Sequence, residues 1–289
     1  MNNGKMKNFT LYTLLFTLYS SPFTLHAGAF DNVGLNARPV GMGNAFTAVS
    51  DDLNSIYYNP AGVGKVNKQQ IIFSYRDFYS LGLVTQNYVA TSIPGRLVNT
   101  AISIHRIGTT DAVEFNYIED TYIVTVAGRL TFLKNLFCGA NFKFYHVLSE
   151  SNASGWGLDT GLLYELFPKK FNLGLVLQNL NSPKIIWDTG AKDKLDINFR
   201  PGICISPVKN IKVAFDCEKS DKLNSGIELW LLRRMIGIRA GIGNLTSKEN
   251  TSGYGLSFRF NSLQLDYALS KHYALDWTHF FTLLVRVGK

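Results

Sequence analysis

The sequence predicts an all-β fold, an antiparallel transmembrane β-barrel of about 14 strands with a short helical N-terminal plug in its lumen. From Lys68 onward, apolar and polar residues alternate in segments of strand length. Charged residues make up 17% and aromatic residues 13% of the 289 residues, whereas soluble domains typically carry ~25% charged residues. The body of the chain has no apolar run of the ~18 residues that a membrane-spanning helix needs. A soluble β-sandwich or barrel is the alternative, and the low charge content counts against it.

Residues 1–27 have the features of an export signal. Lys5 and Lys7 form a charged start, Phe9–Leu18 is an apolar stretch, and Ala27 supplies a small residue at the expected cleavage site. The apolar stretch is too short for a membrane anchor helix. We therefore expect cleavage after Ala27. Export followed by an alternating chain predicts a protein of the bacterial outer membrane.

Residues 28–66 lack the alternation of the later chain, and we expect them to form the N-terminal plug. Ser50–Asp52 can cap a helix, because Ser and Asp side chains accept hydrogen bonds from its free N–H groups. Pro60 should end that helix at Tyr58 or before. The sequence therefore predicts two short helical turns, the second starting near Ser50–Asp52. Irregular backbone is not tolerated in lipid, so this segment belongs in the lumen, where its polar groups can pair with the wall.

Several residues of this segment are candidates for the contacts that hold the plug in the lumen. They are Gly41, Gly43, Phe46, Asp51, Asp52, Tyr57, Tyr58, Asn59 and Pro60. Gly41 and Gly43 would allow the backbone to approach the wall closely. Asn59 and Pro60 would fix the bend by which the segment enters the first strand.

Two pairs among these candidates have a second interpretation. Asp51 and Asp52 could bind a divalent cation through their oxygen atoms. Helix capping is favoured, because no further acidic residue stands at a suitable spacing. Tyr57 and Tyr58 could stack on a ligand or pack against the barrel wall, and the sequence leaves both interpretations open.

Residues 67–289 are predicted to form the barrel itself. Fifteen segments between Gln69 and Val287 have the composition and turn boundaries of strands. A bacterial single-chain barrel has an even number of strands, so we discard the short segment Ala112–Ile118 and expect fourteen. The widest break in the alternation, Asn181–Lys194, is predicted to be an extracellular loop or a strand extension.

The alternation also assigns the two faces of the wall. Successive side chains of a strand point to opposite faces. Phe215, Ile238 and Leu265 lie on faces that carry almost no charge, whereas Arg239 and Asp266 lie on the opposite faces. An apolar outer face around a polar interior is typical of a membrane barrel. We therefore expect the first three residues to face lipid and the other two to face the lumen.

Composition and motif spacing argue against other functional classes. The formal net charge of +8 is scattered through alternating strands, without the basic face of a nucleic-acid-binding protein. The histidines form no metal-binding motif and no feature selects a catalytic pair, so we expect no enzyme activity, no cofactor and no metal. The hairpin around Pro207–Asn210 sets Cys204 and Cys217 too far apart for a disulfide. These cysteines, and Cys138, are expected to act as small apolar side chains.

One stretch of the sequence resembles a known family. Gly41–Val63 has the sequence G-M-G-N-A-F-T-A-V-S-D-D-L-N-S-I-Y-Y-N-P-A-G-V. It is similar to the N-terminal motif of FadL-like bacterial outer-membrane proteins, the superfamily of long-chain fatty-acid transporters. Within that superfamily it is most similar to the PorV/PorQ-like branch, whose members often have G-M-G-(small)-A-F-T-A-V-A-D-D followed by Y-x-N-P-A-G-L. Gly253–Phe281 also resembles that branch.

The resemblance implies a barrel in the outer-membrane lipid with an N-terminal plug, and it implies one of two functions. The first is passive transport of small hydrophobic molecules, which would be ligands in the lumen. The second is a barrel that transports nothing and instead anchors or hands over partner proteins of a secretion system.

Overall fold

The structure, a computed structural model, describes residue 30 and residues 34–112, 114–131, 133–168, 170–218, 222–246 and 250–288. The predicted export signal, residues 1–27, lies outside the described residues. The described chain begins with two short helices, α1 (Ala37–Gly41) and α2 (Ser55–Tyr58), followed by a 3₁₀ turn at Pro60–Lys65. None of the helices described is both long enough and apolar enough to cross a bilayer.

The rest of the described chain is almost entirely β-strand. The strands are β1 (Gln69–Asp77), β2 (Val84–Ile93), β3 (Val98–Thr109), β4 (Ile118–Arg129), β5 (Leu136–Leu148), β6 (Ala153–Phe167), β7 (Phe171–Gln178), β8 (Lys184–Trp187), β9 (Lys192–Lys194), β10 (Asn198–Ile205), β11 (Ile211–Glu218), β12 (Lys222–Leu231), β13 (Ile236–Gly243), β14 (Thr251–Phe260), β15 (Leu263–His272) and β16 (Trp277–Val287).

In the described chain, fourteen of these strands form a closed antiparallel barrel, as the sequence predicted. Each barrel strand pairs with the next one along the chain, and β7 pairs directly with β10. Pairing of β1 with β16, from Gln69 opposite Val287 to Asp77 opposite His279, closes the wall. Closure removes the free edges of the described barrel wall, whereas β9 remains an edge strand outside it.

Two segments that the sequence did not assign to the fourteen strands are placed by this fold. β8 and β9 form a hairpin that pairs with the start of β6, where Ala153 lies opposite Trp187. Asn181–Lys194 therefore lies in the long connection between β7 and β10 and extends the sheet beside β6, so it has features of both predicted alternatives. In the discarded segment Ala112–Ile118, the described residues form no strand before Ile118, where β4 begins.

The two faces of the wall have the predicted composition. Leu265 on β15 is 56% exposed on the outer surface, whereas its neighbour Asp266 is 3% exposed and points inward. Ile238 and Arg239 on β13 show the same contrast, at 41% and 2%. The barrel is therefore apolar outside and charged inside, the reverse of a water-soluble barrel.

The two ends of the barrel differ in the length of their connections. We call one the turn end: it contains the short turns of residues 94–97, 130–135, 168–170, 206–210, 232–235 and 261–262. The barrel's first and last strand residues, Gln69 and Val287, also lie there. We call the other the loop end, because it contains the longest connections, residues 110–117 and 179–197.

Candidate functional site

Residues 34–66, which we call the N-terminal segment, lie inside the barrel and are almost all buried. The segment is fastened to opposite parts of the wall. The backbone N–H of Ala37 donates a hydrogen bond to Oγ1 of Thr282 on β16, at 2.9 Å. Asn141 Nδ2 on β5 donates to the carbonyl of Ile56, at 2.8 Å. These contacts satisfy backbone groups that the short helices leave unpaired.

A buried ion cluster centred on Arg38 holds the segment to one side of the wall. Arg38 Nη1 contacts Asp51 Oδ1 and Asp52 Oδ2, each at 2.6 Å. Its Nε and Nη2 atoms donate to the two carboxylate oxygens of Glu228 on β12, each at 2.8 Å. Lys212 Nζ on β11 lies 2.5 Å from Asp51 Oδ2. The segment and the wall thus share one set of compensated charges.

The charges of this cluster stabilise one another. Burial alone would lower the pKa of Arg38, but Asp51, Glu228 and Asp52 raise it well above its ordinary value. Burial alone would raise the pKa of Asp51, but Arg38 and Lys212 hold it well below its usual range. Both groups therefore stay ionised at neutral pH, which a buried charge does only when it is paired.

The helix-capping role predicted for Asp51 and Asp52 is largely wrong. α2 begins at Ser55, later than Ser50–Asp52, and its N-cap residue Asn54 makes no side-chain capping bond. Asp52 Oδ1 accepts a bond from the N–H of Asn54, before the helix, but the main partner of both carboxylates is Arg38. Among the described residues, no cluster of three or more His, Cys, Asp or Glu side chains could hold a metal ion.

The ion cluster continues from Glu228 into the wall. Glu228 Oε2 also accepts a hydrogen bond from Arg239 Nε on β13, at 2.7 Å. Arg239 Nη1 donates to Ser257 and lies 3.3 Å from Asp266 Oδ1 on β15. Charged groups therefore run without a break from the N-terminal segment across four neighbouring strands.

Glycines in the N-terminal segment and in the wall allow the two backbones to approach closely. Gly43 has φ +60°, and a Cβ there would lie 2.5 Å from the backbone N of Ile242 on β13. A Cβ at Gly41 would lie 3.1 Å from Cα of Gly255 on β14. On the opposite side, a Cβ at Gly139 would meet the backbone of Pro60 at 2.5 Å. Main chain packs directly on main chain at these positions.

The aromatic candidates pack within the segment and against the wall. Phe46 is fully buried, with its ring 5.5 Å from that of Tyr58 in an edge-on arrangement. Tyr57 packs edge-on against Tyr58, at 5.1 Å between centroids, and against His105 of β3, at 6.1 Å. Burial raises the pKa of both tyrosines, so they stay protonated. These contacts correspond to the packing interpretation of the two tyrosines.

Asn59 and Pro60 form the bend that leads into the barrel. α2 ends at Tyr58, as the sequence predicted from Pro60, and Asn59 is extended, with φ −162°. Asn59 Nδ2 donates to the carbonyl of Thr47 at 2.9 Å and to that of Leu162 on β6 at 3.0 Å. Asn59 therefore holds two parts of the segment together and ties them to the wall.

Beside the N-terminal segment, toward the loop end, lies a cavity of about 310 Å³. Its lining combines apolar and charged side chains. They include Val40, Phe78, Phe280, Arg76, Arg200, Glu218 and Lys222. The sequence did not indicate this cavity, since its residues come from α1, eight strands and the connections between them, which only barrel closure brings together. Arg38 was also missed, because its partner Glu228 lies 190 positions away.

The comparison with known proteins identifies the fold. No family model matches the sequence, and no curated protein matches it either. Among solved structures, the Pseudomonas putida toluene transporter TodX matches with a TM-score of 0.70 and 11% identity, over 90% of this chain and 100% of that chain. This chain has the fold of a hydrocarbon channel.

Two further solved structures also match the fold of this chain. The CymD monoaromatic hydrocarbon channel matches with a TM-score of 0.66 and 11% identity, over 90% of this chain and 100% of that chain. A Pseudomonas aeruginosa FadL homologue matches with a TM-score of 0.59 and 11% identity, over 86% of this chain and 97% of that chain. The FadL-like fold that the sequence resemblance implied is therefore confirmed.

Proposed function

We propose that this protein is a barrel of the bacterial outer membrane that lets small hydrophobic molecules cross passively, with residues 34–66 as an internal gate. One observation carries the proposal: the N-terminal segment fills the lumen of a barrel that has the fold of hydrocarbon channels. The apolar outer wall supports the placement in a membrane, because a soluble protein rarely exposes so large an apolar surface.

The cavity supports an entry path from the loop end. Longer loops lie on the extracellular side in bacterial barrels, so the cavity of about 310 Å³ would be reached from outside the cell. Val40, Phe78 and Phe280 offer apolar contact there. Beyond them the N-terminal segment blocks the lumen, so passage requires the segment to shift. Apart from its chain connection to β1, the segment is joined to the wall by ion pairs and hydrogen bonds, and water can replace them during such a shift.

The second function implied by the sequence resemblance is a PorV/PorQ-like barrel that serves secretion-system proteins. None of the comparisons supports it. It remains the alternative that an experiment on the purified protein should separate from transport.

Uptake across an asymmetric bilayer with a lipopolysaccharide outer leaflet tests the proposal, since simple phospholipid vesicles are themselves permeable to hydrocarbons. We expect labelled toluene to enter vesicles that contain the full chain faster than protein-free vesicles, while glucose is excluded from both. Equal toluene entry with and without folded protein would refute transport. A protein that co-purifies in stoichiometric amount would favour the alternative function.

A further inference from the structure

The turn end of the barrel carries a ring of exposed positive charge. The turns there contain exposed Lys or Arg side chains on nearly every side of the barrel. These residues, which we call the basic ring, are Arg96, Lys134, Lys170, Lys209 and Arg233. None of the turn sequences at residues 94–97, 130–135, 168–170, 206–210, 232–235 and 261–262 contains Asp or Glu. The ring therefore has no acidic neighbours within its own turns.

The loop end carries charges of both signs. The exposed acidic side chains of its connections, including Asp111, Glu114, Glu150, Asp188 and Asp276, outnumber exposed lysines such as Lys184, Lys192 and Lys194. Positive charge without acidic neighbours is thus found in the turns of the turn end, and an anionic surface would be attracted to that end more than to the other.

Large apolar side chains stand next to the cations of the basic ring. Leu97 follows Arg96 and is 79% exposed, and Leu232 precedes Arg233 and is 67% exposed. Phe167, at 62%, is the last residue of β6, directly before the turn that contains Lys170. A cation beside an exposed apolar side chain suits the boundary of a bilayer, where the apolar part enters the acyl region and the charge stays among the head groups.

We propose that the basic ring binds the phosphate groups of anionic phospholipids in the leaflet around the turn end. The inference rests on the outer-membrane placement proposed above. Short turns face the periplasm in bacterial barrels, so this would be the inner leaflet of the outer membrane. A lipid leaflet surrounds a barrel on all sides, as the ring does, whereas a folded acidic protein would contact one side.

Lipid selectivity of the full chain tests this proposal. The protein is reconstituted in phosphatidylcholine with a trace of spin-labelled phosphatidylglycerol or spin-labelled phosphatidylcholine, and the protein-bound fraction of each label is measured. We expect several-fold preference for phosphatidylglycerol, weakened by high salt because exposed charges are screened. This measurement on the unmodified chain needs no variant, and absence of preference would overturn the inference.

A matched pair of variants tests whether the basic ring causes the lipid preference. The ring variant carries Lys134→Gln, Lys170→Gln and Lys209→Gln, and the control carries Lys184→Gln, Lys192→Gln and Lys194→Gln in the exposed hairpin at the loop end. Both lose the same formal charge. We expect the ring variant to lose most of the preference and the control to keep it. Equal loss in both variants, or a ring variant that keeps the full preference, would overturn the proposal.

Measuring whether the folded chain inserts into lipid distinguishes failure of this inference from failure of the proposed function. A folded chain that inserts into pure phosphatidylcholine but shows no lipid preference would leave the membrane barrel standing and remove only the role of the ring. A folded chain that inserts into neither lipid would overturn both.

Discussion

Arg38 and Glu228 face each other in the lumen as a bidentate pair, joined by two hydrogen bonds of 2.8 Å. Arg38 belongs to the N-terminal segment and Glu228 to β12, so this pair connects the candidate gate to the wall. Both side chains are almost completely buried, at 5% and 0% exposure. Parallel bonds of this kind fix orientation as well as distance, and the pair therefore sets where the segment sits.

Loss of Arg38 should release the segment from the wall. Arg38→Met leaves Asp52 and Glu228 buried without their main cation, and such an uncompensated charge typically costs about 3–5 kcal/mol. We expect frequent channel openings in single-channel recordings, where the unmodified protein is mostly closed. Lys271→Met is the control, because Lys271 lies outside the ion cluster: its Nζ has a long, exposed contact of 3.8 Å to Asp276 and lies 5.7 Å from the centroid of the Trp277 ring. Exposed ion pairs contribute about 0–1 kcal/mol. Closed behaviour in Arg38→Met would contradict a fastening role.

A charge on the outer wall should destabilise the barrel only where lipid contacts it. Leu265→Arg places a cation on the apolar outer face, a change that costs about 2–4 kcal/mol at the bilayer centre and less toward the interfaces. Leu275→Arg makes the same change in the exposed loop between β15 and β16 and should cost little. Unfolding midpoints of both variants in phospholipid vesicles give the comparison. A similar cost at both positions would argue against lipid on the outer face.

Gly43 should tolerate no side chain, because it combines a positive φ with lack of space. Alanine in the left-handed region costs roughly 1–2 kcal/mol by itself. At Gly43, with φ +60°, the new Cβ would also meet Ile242 at 2.5 Å. At Gly82, with φ +68°, an added Cβ would meet no atom within 4 Å, so alanine there shows the conformational cost alone. We expect Gly43→Ala to raise conductance and lower stability more than Gly82→Ala, and equal effects would refute a close backbone contact.

Features that depend on residues close together in the sequence could be predicted, whereas contacts that form only when the barrel closes could not. The contrast of Leu265 with Asp266 follows from period-two geometry, so the faces of the wall could be assigned directly. The end of α2 at Tyr58 likewise follows from Pro60. Asp51 was assigned to a helix cap because local chemistry allows it, but a full charge on Arg38 is the stronger partner. That partnership, and the link to Glu228, exist only once the wall surrounds the segment.

Acid should weaken the hold on the N-terminal segment through Asp51. Its pKa in the folded protein lies well below the ordinary value, so its contribution to stability is complete above the unfolded pKa of about 4. That contribution is lost as the pH falls below about 4 toward the folded pKa. We expect channel openings to increase over this range, and to change less with pH in Asp51→Asn. Identical pH profiles for the two proteins would exclude Asp51 as the titrating group.

Deletion of residues 36–58 tests the gate most directly and separates the two functions. The deletion removes Arg38 and the main chain that packs on the wall glycines, while the barrel strands from Gln69 onward remain. Charged groups such as Glu228 and Arg239 would then line an open, polar lumen, and water would fill it. We expect a large, steady conductance and loss of the preference for toluene over glucose. A barrel that serves protein partners would also conduct, but it would still bind those partners through its loops in a pull-down. Unchanged conductance in a correctly folded deletion variant would show that the segment does not block the lumen, and the proposed gate would fall with it.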